Sequence, residues 1–293
     1  MFVGTLLCGD DMVGAATTQN FAPPSIVSRH FQTTDNVRLH YLEAIPKYIK
    51  PRSTVILLVP GWSLPASIWK TQLEVLGKEW HTIAFDPRGQ GLSEVPRYGF
   101  DIDRRSDDLH ELRQMYPQHV IVGWSLGALE ALNMIHRHGR GGITALALID
   151  SSVGEGPATG PSGFPGELRR NRRHALTEFG QALFRTPRTA GEIRHLVNQA
   201  MRMPLDASLS LFPSSVPREF WRNTVLGFDG PLLYAVTPQF FEQARLLALH
   251  RPGTRIEKFP DAGHALFADN PGRFNRIIHE LTLSAKKQSR HGD

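Results

Sequence analysis

The order of hydrophobic runs predicts an α/β domain: a mostly parallel sheet with helices on both faces, interrupted once by a helical segment. Short apolar, β-branched runs alternate with helix-period segments along 25–150 and again along 229–285. The run TVILLV at 54–59 is apolar throughout, as a strand buried on both faces requires. Between 151 and 228 no strand pattern occurs, and Gly and Pro crowd 154–166.

The elements follow in order. Residues 1–24 read as a flexible arm ending at Pro23-Pro24. Strands over 25–33 and 37–44 flank a turn at Asp35-Asn36. Strand 54–59, helix 67–78 and strand 81–85 come next, then helix 103–115. Strand 119–123, helix 126–138 and strand 143–149 complete the first part, which ends at Asp150. The segment 151–228 reads as a helical cap, with helices near 167–184, 189–202 and 217–226. The alternation resumes with strand 231–237, helix 239–250, strand 255–259 and helix 270–285, followed by a polar tail at 286–293. An insert at one end of a parallel sheet is placed to cover the strand C-termini, where such sheets bind ligands.

Composition narrows the function classes. The net charge of +5 is mild for 293 residues. No basic stripe interleaved with aromatics and no zinc-finger spacing is present, so no nucleic-acid partner is expected. The single cysteine, Cys8, excludes an intramolecular disulfide and dithiol chemistry. No apolar run is long enough for a membrane span. The first eight residues are apolar but lack Lys or Arg, a poor signal peptide. A cytoplasmic location is expected, with an exported form if the true start lies elsewhere.

Gly123-Trp124-Ser125-Leu126-Gly127 fits G-x-S-x-G directly after a buried strand and before a helix. A sharp strand-to-helix turn lifts a serine hydroxyl out of the sheet, and glycines at both ends let the backbone pack closely. The new helix points its free amides at the site, which favours developing negative charge. A glycine-flanked serine that merely caps a helix is the plainer alternative, and the flanking strand and helix argue against it.

Four motifs together resemble the α/β-hydrolases, with most similarity to the carboxylesterase group that includes pimeloyl-carrier-protein methyl ester esterases. They are Val59-Pro60-Gly61-Trp62, the stretch from Asp86 to Ser93 (DPRGQGLS), Gly123-Trp124-Ser125-Leu126-Gly127, and Asp261-Ala262-Gly263-His264. The resemblance implies an α/β-hydrolase fold with Ser125 as nucleophile. His264 follows a strand and precedes the last helix, so it fits the family order Ser, acid, His as general base. The family's usual acid position, after the penultimate strand, holds Thr237-Pro238-Gln239 and no carboxylate. Asp150, ending the preceding strand, is the candidate acid, with Glu242 in reserve. Asp261 lies too near His264 in sequence, and Asp229 precedes its strand.

Acyl transfer needs two donors for the tetrahedral oxygen. The amides of Leu126 and Trp62 are expected to form this oxyanion hole, although Pro60 stands where the family usually has histidine. The stretch from Asp86 to Ser93 reads as structural, with Asp86 and Arg88 as local hydrogen-bonding partners. Trp62 and Trp124 are expected to wall a pocket for an apolar acyl or aromatic group.

The segment 151–228 carries ten arginines against six carboxylates, hence most of the net charge, with Arg169, Arg170, Arg172 and Arg173 as a dense run. An acidic carrier protein docking there is one expectation, and a solvated helix face is the other. No cofactor or metal is expected, since no ligand cluster, phosphate loop or dinucleotide fingerprint is evident. The expected function is hydrolysis of small to medium carboxylic esters through an acyl-enzyme. The alternatives are a non-catalytic small-molecule binder on the same scaffold, or a related acyltransferase, perhydrolase or lactonase.

Overall fold

The computed structural model describes residues 24–48, 53–156, 163–212 and 216–289. The expected arm and Cys8 therefore lie outside the described residues, apart from Pro24. Eight strands form one sheet: β1 (Ser25–Gln32), β2 (Arg38–Ile45), β3 (Val55–Val59), β4 (His81–Asp86), β5 (His119–Trp124), β6 (Ile143–Ile149), β7 (Leu232–Val236) and β8 (Arg255–Lys258). Their spatial order is β1-β2-β4-β3-β5-β6-β7-β8. Only β2 runs against its neighbours β1 and β4; every other pairing is parallel.

Strand alternation sends side chains to two cores. Ile56, Leu58, Val120, Val122, Ala145, Ala147 and Ile149 face one side. There they meet α1 (Lys70–Leu76) and α11 (Pro271–Ser289). Val55, Leu57, Val59, Ile121, Leu146 and Leu148 face the other. There they meet α2 (Ile102–Gln114), α3 (Leu126–His138) and α9 (Phe241–His250). Both faces are covered, which explains why the central strands read as unbroken apolar runs.

The parallel register places four strand ends side by side. Val59 pairs with Gly123, Trp124 with Ile149, and Ile149 with Ala235. Pro60, Ser125, Asp150 and Thr237 therefore leave the sheet at one edge.

Among the described residues between β6 and β7 lie five helices: α4 (Phe164–Arg170), α5 (Arg172–Ala182), α6 (Ala190–Met201), α7 (Leu205–Ser210) and α8 (Arg218–Gly227). Most match the expected segments, with informative differences. The expected helix 167–184 is two helices, broken at Asn171, where φ is −149° and ψ is 81°. The Asn171 side chain caps α5 by accepting the His174 N–H, a local bond that competes with helix continuation. Helix α7 and the short α10 (Leu266–Asp269) were not expected, because neither is long enough to show periodicity. The expected helix 67–78 starts as a 3₁₀ turn, Ala66–Trp69. Helix α11 continues to Ser289, so the expected tail from 286 begins as helix.

Two expected outcomes follow from this packing. A methyl group on Gly127 would lie 2.5 Å from Pro60 O, whereas one on Gly272 meets nothing within 4 Å. Gly127→Ala should lower stability in urea unfolding by about 1–3 kcal/mol through backbone overpacking. Gly272→Ala should raise stability by about 0.4–1 kcal/mol through the unfolded chain. The second outcome concerns His119, at the start of β5. Burial, helped by the nearby Arg113 charge, pushes its pKa from 6.5 down to about 4. The unfolded chain then binds the extra proton between those values. Stability is complete above about pH 6.5 and falls by up to about 3 kcal/mol as pH drops to 4. His119→Leu should flatten that part of a stability–pH profile.

Candidate active site

Ser125 sits in the turn between β5 and α3 with φ 54° and ψ −121°. This conformation is costly for a residue with a Cβ, so the surroundings must hold it. A methyl on Gly123 would come within 2.6 Å of Ala128 Cα, and one on Gly127 within 2.6 Å of Val59 O. The glycines thus allow β3 and α3 to close on the turn. Ser125 N–H donates to Ile149 O at 2.9 Å, and Ala128 N–H to Ser125 O at 3.0 Å. Among the described residues the Ser125 hydroxyl has no hydrogen-bond partner, and the residue lines the cavity described below. Leu126 opens α3, and its amide is one of the helix's first unpaired donors.

Asp150 follows β6 directly and is fully buried, with φ 42°. Its Oδ1 accepts the Thr237 N–H at 2.7 Å and the Thr237 Oγ1–H at 2.8 Å. Its Oδ2 accepts from His264 Nδ1 at 2.7 Å. The loop after β7, where a carboxylate was sought, supplies these donors instead. Glu242 is exposed in the first turn of α9 and pairs with Arg245, away from His264. Asp229 pairs with Arg140.

The His264 loop is held from several sides. Trp124 Nε1–H donates to His264 O at 2.9 Å, and Ala265 N–H to Leu183 O at 2.8 Å. Asp269 accepts the N–H groups of Gly263, Arg185 and Thr186 at 2.8, 2.8 and 2.9 Å. Burial raises the Asp269 pKa, but these three amides outweigh it and hold the carboxyl below its ordinary value. Tyr234, on β7 beneath Asp150, is shifted well upward by burial and by the Asp150 charge. It stays a donor, to Ser151 O at 2.7 Å.

A cavity of about 450 Å³ gathers Ser125, Leu126, Asp150, His264 and Trp62. Its other walls include Ser151, Ser152, Gln239, Phe240, and Phe179, Leu211 and Phe212 from the segment between β6 and β7. Trp62 stacks with Phe212 at 5.3 Å and meets Phe164 and Phe179 edge-on. Its Nε1–H donates to Ser208 O at 2.7 Å, so the ring is fixed. Phe179, Phe212 and Thr237 were not anticipated. An aromatic on a helix carries no sign of which loop end it will meet, and the only hint for Thr237 was the missing carboxylate beside it.

One expectation is corrected. Trp124 does not line the cavity: its side chain is fully buried and packs against Trp69 and Phe267 beneath the site. As the last residue of β5 it points into the core, and the turn carries only Ser125 out of the sheet. Of the arginine run, read as a docking site for an acidic carrier or as a solvated helix face, Arg172 turns inward to Ala200 O, Met203 O and Ser208 Oγ, while Arg170 stays exposed and pairs with Glu167.

The profile of the alpha/beta hydrolase family matches residues 56–277, and the chain belongs to that family. A non-heme chloroperoxidase, CPO-A1 of Kitasatospora aureofaciens, is 30% identical over 99 residues, which span 33% of this chain and 36% of that protein. The pimeloyl-acyl-carrier-protein methyl ester esterase of Neisseria meningitidis is 25% identical over 242 residues, covering 77% of this chain and 92% of that one. The esterase EaEST from Exiguobacterium antarcticum superposes with a TM-score of 0.76 at 19% identity, over 86% of this chain and 98% of that one. No helix among the described residues is long and apolar enough to cross a membrane.

Proposed function

We propose that this protein hydrolyses carboxylic esters through an acyl-enzyme on Ser125, with His264 as general base and Asp150 as its carboxylate partner. The observation that carries the reading is the 2.7 Å contact between His264 Nδ1 and Asp150 Oδ2, in the cavity that also holds Ser125. A carboxylate can only accept, so Nδ1 carries the proton and Nε2 is left as the base.

The chemistry follows from that tautomer. Nε2 takes the Ser125 Oγ proton as Oγ attacks the ester carbonyl carbon. The amides of Leu126 and Trp62 then receive the negative oxygen. The tetrahedral species collapses, and His264 returns its proton to the leaving alcohol. Water repeats the sequence in reverse roles and releases the acid. Asp150 stabilises the imidazolium formed in each half.

The cavity supports a small to medium ester with an apolar or aromatic portion. Trp62, Phe179, Phe212 and Phe240 present rings, and its volume suits one such group. The names of the full-length esterase relative and of the structural neighbour support ester chemistry. A carrier-linked ester has less support, because Arg172 is turned into the fold and Arg170 is paired with Glu167 on the surface.

A fluorophosphonate probe should label the wild type and fail to label Ser125→Ala. An unlabelled, folded wild type would favour a binding protein over an enzyme. On p-nitrophenyl esters, Asp150→Asn should lower kcat by about 10,000-fold, since the imidazole loses its correct tautomer. Glu242→Gln should stay within about twofold of wild type, as expected of an exposed surface site. Equal losses in both variants would refute the assignment of Asp150.

A further inference from the structure

We propose that Gln90 is a positioning residue that holds the Trp62 amide against the nucleophile turn. The inference rests on the reading of Trp62 as an oxyanion donor.

The Trp62 ring is held by Ser208 O and its aromatic neighbours, but the backbone of the loop from Pro60 to Leu64 has little of its own to fix it. Pro60 offers neither an N–H nor a polar side chain. Within the loop, Leu64 N–H reaches Gly61 O at a long 3.3 Å. Ser63 adopts φ 56°, a conformation that persists in a residue with a side chain only where neighbours enforce it.

Gln90 supplies the enforcement. Its side-chain amide donates to Leu64 O at 2.6 Å and to Gly61 O at 3.2 Å, and its Oε1 accepts Ser63 N–H at 3.3 Å. One buried amide thus serves three backbone groups of four consecutive residues, on both sides of Trp62. From the other direction the loop is stopped by the nucleophile. A methyl on Gly61 would lie 3.2 Å from Ser125 Cβ and 3.3 Å from the Trp124 ring. The loop thus lies close against the turn at Ser125, and Gln90 keeps it from lifting away.

Gln90 is itself anchored. Its N–H donates to Pro87 O at 2.9 Å and its carbonyl accepts Ser93 N–H at 3.0 Å. The next residue, Gly91, has φ 52°, and a methyl there would overlap the Asp86 carboxylate. That carboxylate accepts Leu92 N–H at 2.8 Å, His40 Nδ1–H at 2.7 Å, and the N–H of Ala66, two residues past Leu64. The stretch 61–66 is clamped at one end by Gln90 and at the other by Asp86. A stretch that the sequence presents as structural thereby reaches the chemistry through the backbone.

The test uses Gln90→Leu and the isosteric Gln90→Glu on p-nitrophenyl butyrate, with melting curves as the control for folding. Glutamate retains the acceptor for Ser63 N–H and loses both donors. Removing an oxyanion donor outright lowers kcat by about 100- to 1,000-fold, so displacing one should lower it by about 10- to 100-fold. KM should change by less than about threefold, since ground-state binding does not use that donor. Affinity for a trifluoromethyl ketone, which forms a tetrahedral oxyanion on Ser125, should fall by the same factor as kcat. The apparent pKa in the pH dependence of kcat/KM should not move, because the His264–Asp150 pair is untouched. The proposal is overturned if either folded variant keeps kcat and ketone affinity within about twofold of wild type. It is also overturned if KM rises while ketone affinity holds, or if neither variant folds, which would assign Gln90 to the fold alone. A wild type that neither turns over nor is labelled at Ser125 would instead refute the esterase reading, and this inference with it.

Discussion

The buried Asp150 carboxylate is the interaction on which the site depends. An ionised carboxylate with no solvent exposure is costly unless its oxygens are satisfied. Here Thr237 gives two hydrogen bonds and His264 a third, so β6, the loop after β7 and the loop after β8 meet on one side chain. Any rearrangement that moved one of those loops would leave the charge under-solvated. The same contact that orients the imidazole therefore ties together three chain segments distant in sequence.

The other side of the sheet edge is tied by a second buried carboxylate, Asp86, and by the ion pairs around it. Arg88 is fully buried and grips Asp108 with two bonds of 2.6 Å while reaching Asp35. Arg105 and Glu130 form another buried pair, joining α2 to the helix that starts at the Ser125 turn. Such pairs add little net stability over apolar packing, but breaking one leaves an uncompensated charge. Their contribution is to specify where α2 and α3 sit, and so where the turn at Ser125 points.

The segment between β6 and β7 is joined to the site as well as lying over it. A methyl on Gly263 would strike Leu183 O at 2.7 Å, so the residue before His264 lies against the end of α5. With the Ala265 N–H bond to Leu183 O and the Asp269 bonds to Arg185 and Thr186, the segment braces the histidine loop. The same segment places Phe179, on α5, and Phe212, just past α7, on Trp62.

Much of this was legible in the sequence. Unbroken apolar runs located the central strands, and the glycine-flanked Ser125 announced a turn that only close packing can support. The family motifs marked Gly61, Ser125 and His264 in the right order. The sequence left Asp150 and Glu242 both open, and only the register of β6 with β7 brings Asp150 to the histidine while α9 carries Glu242 outward. It misread Trp124, because G-x-S-x-G says where a turn begins but not that the residue before the serine still belongs to the strand. Periodicity and motifs are local, so they determine elements and the strained points between them. Which side chains share a cavity is a property of strand order and register, and of the helices added between β6 and β7. Those are decided by burying two faces of one sheet at once, and no short stretch of sequence contains them.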